Sequence, residues 1–151
     1  ASRINNYDVV QATEEALLYL KKRSSQLIQW TWKLPQNEIQ IPINLPLYSW
    51  TLENLIKNGI DAMKGKGDLN LELSESSQYI VIRISDSGQG ITPKNIKSIF
   101  NPGFTTKKRG WGLGLSLVKR IIVDYHQGTV EVLKSEIGQG TTFEIRLKKS
   151  K

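Results

Sequence analysis

Between residues 52 and 142 of this 151-residue chain stand four short motifs in a fixed order: Glu53-Asn54-Leu55-Ile56-Lys57-Asn58, Asp86-Ser87-Gly88-Gln89-Gly90, Phe104-Thr105-Thr106-Lys107 and Gly110-Trp111-Gly112-Leu113-Gly114-Leu115. Asn54 and Asn58 are one helical turn apart, and an asparagine carbonyl oxygen suits a hard cation such as Mg²⁺. Asp86 places an acceptor just before two flexible glycines, so backbone can pass close to a flat ring while the carboxylate accepts from an exocyclic amine such as that of adenine. The fourth motif opens a helix, whose first amides and dipole favour an anion. Thr105, Thr106, Lys107 and Lys108 add hydroxyls and cations just upstream. Each motif alone also fits something plainer: a solvated helix face, a turn, a helix start, an exposed basic loop. In this order they supply what a magnesium-bound nucleotide needs, and together they read as an ATP site. The glycine spacing is not that of a dinucleotide fold, and no Gly-Lys-Ser or Gly-Lys-Thr follows, which excludes a Walker loop.

The apolar pattern provides the elements that must carry these residues. Asp8 can cap a helix running to about Arg23, with Val10, Ala16, Leu17 and Leu20 on one face and Lys21-Lys22-Arg23 at its carboxyl end. Strands are expected at residues 27–32 and 39–43, the second at an edge because of Pro42. The strongest helix covers residues 46–63, where Leu47, Trp50, Leu52, Leu55, Ile56, Ile60 and Met63 recur at spacings of mostly three or four, and Gly65 and Gly67 end it. Asn54, Lys57, Asn58 and Asp61 share its polar face. Residues 69–73 and 79–84 alternate as an antiparallel pair, leaving Asp86 just past a strand end. A short helix at 93–100, a mobile loop at 101–111, a third helix at 113–125 and a closing hairpin of 129–133 and 141–147 complete the chain.

Composition limits the function classes. The length and 38% hydrophobic residues suit one domain over residues 1–151. With no cysteine there is no disulfide framework or thiolate metal site, and a single histidine argues against zinc. No apolar run approaches the roughly 20 residues of a membrane span and the start has no signal-peptide pattern, so a soluble, cytoplasmic chain is expected. The net charge of +7 is scattered over Lys21-Lys22-Arg23, Lys107-Lys108-Arg109 and Lys148-Lys149-Ser150-Lys151, which reads as solvated cations with no nucleic-acid partner. Trp30, Trp32 and Trp50 read as core or strand aromatics, and His126 as a structural residue at a helix end.

Taken in order, the motifs resemble those of the catalytic, ATP-binding domain of sensor histidine kinases, in the GHKL superfamily with gyrase B, Hsp90 and MutL. The likeness covers nearly the whole chain. Asn54-Leu55-Ile56-Lys57-Asn58 with Asp61-Ala62 looks like the N box, Asp86-Ser87-Gly88-Gln89-Gly90 the G1 box, residues 100–107 the F box and residues 110–115 the G2 box. Gly138-Gln139-Gly140-Thr141-Thr142-Phe143 resembles the last conserved segment of the family. The resemblance implies an α/β fold, a two-layer sandwich (Bergerat fold) with a mixed sheet of about five strands packed on three helices and ATP held between the layers under a flexible lid. By carry-over, Asn58 ligands Mg²⁺ with Asn54 and Lys57 beside it in the catalytic group. Asp86 bonds the adenine amine, and Gly88, Gly90 and Ile91 shape that pocket, with Asp61 nearby. Gly110, Gly112, Leu113, Gly114 and Leu115 bind phosphate, Thr105, Thr106 and Lys107 lie in the lid, and Thr142 lies near the adenine.

The implied activity is transfer of the ATP γ-phosphate to a histidine in two-component signal transduction, by positioning and charge neutralisation with no general base. No histidine precedes Asn54, so the acceptor is expected on a separate dimerisation domain of a longer parent kinase. The isolated domain is then a monomer, the parent a homodimer compatible with a membrane anchor, and a response regulator lies downstream. Two positions depart from the family pattern. Gly59 replaces the usual alanine, costing about 0.5–1 kcal/mol of helix stability, and Trp111 replaces a small residue, often threonine. The alternatives are a GHKL ATPase and a nucleotide-gated interaction module. In gyrase-like relatives the base lies one turn before the metal asparagine, where this chain has Asn54, and that argues against hydrolysis.

Overall fold

A computed structural model of the chain describes residues 3–104 and 114–150. In chain order its elements are β1 (Asn5–Asp8), α1 (Val9–Arg23), β2 (Ile28–Lys33), β3 (Gln40–Ile43), α2 (Leu45–Ala62), β4 (Gly67–Glu75), β5 (Tyr79–Asp86), α3 (Pro93–Ile96), α4 (Gly114–Lys119), β6 (Thr129–Glu136) and β7 (Gly140–Lys148). Five strands form one sheet in the order β2-β4-β5-β7-β6, while β1 and β3 pair separately. β2 runs parallel to β4 and the remaining neighbours are antiparallel. The sheet is therefore mixed, as expected, and α2 packs across β4, β5 and β7 to make the second layer.

The helices start where local chemistry satisfies their free amides. The Asp8 carboxylate accepts from Val10 N–H at 3.0 Å and from Ile39 N–H at 3.1 Å, capping α1 while fixing the approach to β3. Asn44 Oδ1 accepts from Leu47 N–H at 2.9 Å and Pro46 occupies the first turn of α2, where its missing donor costs nothing. Lys64 and Gly65 end α2 with left-handed backbone at φ 57° and 79°. Tyr48, Leu52, Leu55 and Ile56 on α2 are fully covered, as are Leu69, Leu71, Ile80, Ile82 and Ile145 on the sheet. Each such side chain contributes about 1.5–3 kcal/mol of transfer free energy, which is what clamps α2 to the sheet.

Four details differ from the sequence reading. β1 was unforeseen, because Asn5-Asn6-Tyr7-Asp8 has no strand alternation and its order comes from pairing with β3. β5 continues through Asp86, which pairs with Leu69 on one side and Thr141 on the other. α3 is one turn, stopping at Ile96. The expected helix over 113–125 begins, within the described residues, as α4 and then widens into a π-helix at Arg120–Tyr125. Trp30 and Trp32 are half-buried against the core and meet edge to face at 6.4 Å. Among the described residues no helix is long and apolar enough to cross a membrane.

Candidate functional site

Helix α2 carries the site along its length. From Asn54 to Ala62 it advances about 12 Å, and in that distance it touches the start of α4, the end of β5 and the loop that follows β5. Near the amino-terminal end of this stretch, the Asn54 amide faces Gly114. A Cβ added at Gly114 would lie 2.9 Å from Asn54 Nδ2 and 3.0 Å from Oδ1. Asn54 Oδ1 is itself buried with no hydrogen-bond partner among the described residues. A buried carbonyl oxygen without a donor is costly, and it is the kind of hard ligand a magnesium ion accepts. Asn58, half-buried one turn on, carries a second amide. Among the described residues no three His, Cys, Asp or Glu side chains group as a metal site, so any ion here relies on amide oxygens together with ligands brought by a substrate.

Midway along, Asp86 packs against α2 at Gly59. Its Oδ1 accepts from Gly88 N–H at 2.8 Å. Burial pushes the Asp86 carboxyl up from its ordinary pKa, opposed by the backbone N–H groups of Gly88 and Thr141. A carboxylate kept partly dry and held by fixed donors is a directional acceptor rather than a surface charge.

The loop after Asp86 is bound on both sides. Gln89 N–H donates to Ala62 O at 3.1 Å and Gly138 N–H to Gln89 O at 2.9 Å. Gly88 lies against Ala62 so closely that a Cβ would stand 2.7 Å from Ala62 backbone carbon, and Gly90, at φ 79°, has Glu136 O where a side chain would be. Ile91 N–H donates to Ser135 Oγ at 2.8 Å, and Ser135 Oγ pairs with Thr141 Oγ1 at 2.7 Å. These bonds join the loop to the β6–β7 hairpin.

The other expected residues divide into four groups. Lys57 is exposed and paired with Glu53 at 2.7 Å, and Asp61 is also exposed, so both lie on the rim. Leu115 packs at the core margin beside the first turn of α4. Thr105, Thr106, Lys107, Gly110, Trp111, Gly112 and Leu113 fall outside the described residues. Thr142 sits differently from the reading that put it near the adenine. Successive side chains of a strand face opposite sides; Thr142 pairs with Ser85, its hydroxyl 2.8 Å from Ser85 Oγ, while Thr141 is the partner of Asp86. Thr141, not Thr142, therefore shares the side of the sheet that faces α2.

Sequence reasoning gave no site role to Thr141, Ser135 or Gly140, although Thr141 and Gly140 stand in the last conserved segment. Thr141 and Ser135 differ from ordinary strand residues only in the phase of β6 and β7. Gly140 carried a signal in its glycine flanked by a turn; its φ is 124°, and a Cβ there would collide with the Asp86 carbonyl oxygen. His126 takes no part in this cleft, being bonded to Asn44 and Ile121.

Comparison with known proteins agrees with this arrangement. A family model described as histidine kinase-, DNA gyrase B-, and HSP90-like ATPase matches residues 47–151. The sensor histidine kinase ZraS of Salmonella typhimurium is 34% identical over 145 residues, which is 95% of this chain and 30% of that protein. The chain thus spans less than a third of that relative's length. The catalytic domain of histidine kinase ThkA superposes with a TM-score of 0.87 at 22% identity, covering 97% of this chain and 96% of that one. ThkA in complex with response regulator protein TrrA gives 0.83 at 21%, covering 97% and 42%. At such identity these structures establish a shared fold.

Proposed function

The chain belongs to the histidine kinase-, DNA gyrase B- and HSP90-like ATPase family, and on that premise we propose that it binds Mg-ATP and delivers the γ-phosphate to a histidine on a separate dimerisation domain of a sensor kinase. The observation that carries this reading is the Asp86 carboxyl, wedged against α2 and held by Gly88 N–H with no cation beside it among the described residues. Such an acceptor matches an exocyclic amine. The nucleotide then lies along α2, with adenine at Asp86, Gly88, Gly90, Ile91 and Thr141 and phosphates toward Asn54, Asn58 and Gly114.

The donor set fits a magnesium ion, because Asn54 contributes a buried oxygen lacking a partner among the described residues and Asn58 a second amide oxygen one turn away. Asn58, with Asn54 beside it, would hold the ion against the phosphates, where the metal supplies charge neutralisation. Gly114 and Leu115 open α4; with Gly110, Gly112 and Leu113 before them in sequence they are the residues the resemblance assigns to the phosphates, and it assigns Thr105, Thr106 and Lys107 to the lid. Lys57 borders the phosphate end and Asp61 the adenine end. Glu53 is tied to Lys57 in the open, which leaves hydrolysis without a placed base. Catalysis is positioning: the acceptor imidazole is its own nucleophile, and the protein holds the phosphoryl group in line. The chain acts as one domain, monomeric when isolated. Its parent pairs through the dimerisation domain and passes phosphate to a response regulator, a reading supported by the sensor-kinase name of its relative.

Calorimetric titration with a non-hydrolysable ATP analogue, with and without Mg²⁺ and with GTP as competitor, tests this. Magnesium-dependent binding that prefers adenine is expected, lost in Asn58→Ala and weakened selectively for adenine in Asp86→Asn. Binding indifferent to metal and base, or none, overturns the proposal.

A further inference from the structure

The two end strands of the five-strand sheet, β2 and β6, are built differently. β6 is broken by a bulge between Val132 and Lys134 and carries Glu131, Lys134 and Glu136, devices that discourage another strand from joining it. β2 has neither. Its register against β4 is unbroken over six residues, and Ile28-Gln29-Trp30-Thr31-Trp32 is uncharged, with Lys33 last.

The backbone of that edge is open. Gly67 N–H donates to Leu27 O at 3.3 Å, and in a parallel ladder alternate residues of a strand bond to the neighbour. Leu27, Gln29, Thr31 and Lys33 therefore bond toward β4, while Ile28, Trp30 and Trp32 turn their backbone groups away from it. Ile28 N–H is taken by Ser25 O at 3.2 Å; the N–H and C=O groups of Trp30 and Trp32 meet no partner among the described residues.

Beside the edge lies a groove of about 510 Å³, where Leu18, Lys21 and Lys22 of α1 and Ser25 face Ile28 and Trp30 of β2. Leu18 and the neighbouring Leu27 are 47% and 61% exposed. Lys21 Nζ stands 5.6 Å from the centre of the Trp32 ring, so a helix cation reaches the strand. Residues 16–37 hold four cations, Lys21, Lys22, Arg23 and Lys33, and no acid. Arg23 is turned back onto Tyr19, and Lys33 has Glu72 beside it across the ladder. Lys21 and Lys22 are the cations left to the groove.

We propose that the free edge of β2 and the groove beside α1 form a docking site for an extended acidic segment of a partner protein, which adds to the sheet as a sixth strand. Main-chain bonds to Trp30 and Trp32 set its register. Its alternate side chains face α1, where carboxylates meet Lys21 and Lys22 and an apolar residue meets Leu18 and Trp30. A second copy of β2 fits poorly, because it would bring cations to cations.

The probe is a blocked nine-residue peptide alternating valine and glutamate, titrated into the protein and followed by NMR. One control peptide carries lysine for glutamate, and another keeps the side chains but has methylated backbone nitrogens. The glutamate peptide is expected to bind and to slow amide exchange at Trp30 and Trp32. The lysine peptide should not bind. Affinity should fall about tenfold in Lys21→Glu/Lys22→Glu, the scale of two exposed ion pairs turned to repulsion, and by at least as much with the methylated peptide. Should that variant fold poorly, the control peptides on the wild type carry the test. No binding, equal binding of either control peptide, or binding without slowed exchange at Trp30 and Trp32 overturns the proposal. Slowed exchange there on raising the protein concentration alone also overturns it, since the edge would then belong to a second copy.

Discussion

His126 Nε2 accepts the backbone N–H of Asn44 at 3.0 Å, joining residues 82 positions apart. Its other ring nitrogen, Nδ1, donates to Ile121 O at 2.8 Å, so the neutral ring uses both nitrogens and a second proton would set a donor against the Asn44 donor. Burial lowers the His126 pKa below its usual 6.5, outweighing the bond to Ile121. A histidine with a depressed folded pKa lends stability that is present above the unfolded value and is lost as pH falls through the folded one. Melting temperature is therefore expected to drop between neutral and mildly acidic pH. In His126→Ala that acid dependence flattens, at a cost of about 1–3 kcal/mol; an unchanged pH profile in the variant would contradict the role.

Glu144 on β7 is 2% exposed and accepts from Arg83 Nε at 2.8 Å and Arg146 Nε at 2.9 Å. Burial alone would raise its pKa, but the bonds and charges of Arg146 and Arg83 carry it below the ordinary value. Its stabilisation is thus present above the usual glutamate range and lost only as pH falls through the lowered value. Because both arginines are half-exposed and regain water, Glu144→Ala should cost only about 1–2 kcal/mol by urea denaturation. A cycle with Arg83→Ala should be non-additive.

Gly114→Ala should push α4 away from Asn54, since the new Cβ would sit 2.9 Å from the amide nitrogen. The expected loss is about 1–3 kcal/mol, measured by thermal melting. Adding Asn54→Ala should return most of that stability while leaving magnesium-dependent binding impaired. Recovery of both together would separate Asn54 from the metal.

Tyr48 and Thr13 share one buried hydrogen bond of 2.6 Å, and Thr13 Oγ1 in turn donates to Val9 O at 2.7 Å. The tyrosine hydroxyl is therefore the donor between them. Burial raises the Tyr48 pKa far above its usual range. Thr13→Val strands that hydroxyl and should cost about 1–3 kcal/mol, whereas Tyr48→Phe should cost about 1 kcal/mol. Combining them should restore part of the loss in Thr13→Val, as read by denaturant midpoints.

Much of this architecture was legible because its signals are local. The spacing of Leu52, Leu55, Ile56 and Ile60 gave α2 its buried face, and the alternation in β4 and β5 gave their pairing. The motif residues Asn54, Asn58, Asp86 and Gly88 could be named from type and order alone. What escaped reading depends on tertiary contact. β1 exists through β3, the widened helix at Arg120–Tyr125 through the Ile121 carbonyl that receives both His126 N–H and Nδ1, and the closeness of Gly59 to Asp86 through the depth at which α2 settles. The choice between Thr141 and Thr142 turned on one residue of phase in β7, which neighbouring threonines cannot reveal.

The place of β7 between β5 and β6 has a consequence for how the chain is made. β6 leaves the ribosome before β7, yet its sheet partner is β7, and β5 likewise keeps one edge unpaired until residues 140–148 have emerged. Ile80 and Ile82 then wait beside an open strand edge, the kind of surface that captures other nascent chains. Completion of the sheet therefore waits for residues 140–148, and a stall within them would release a species fit for chaperone capture or aggregation rather than a shortened but working domain.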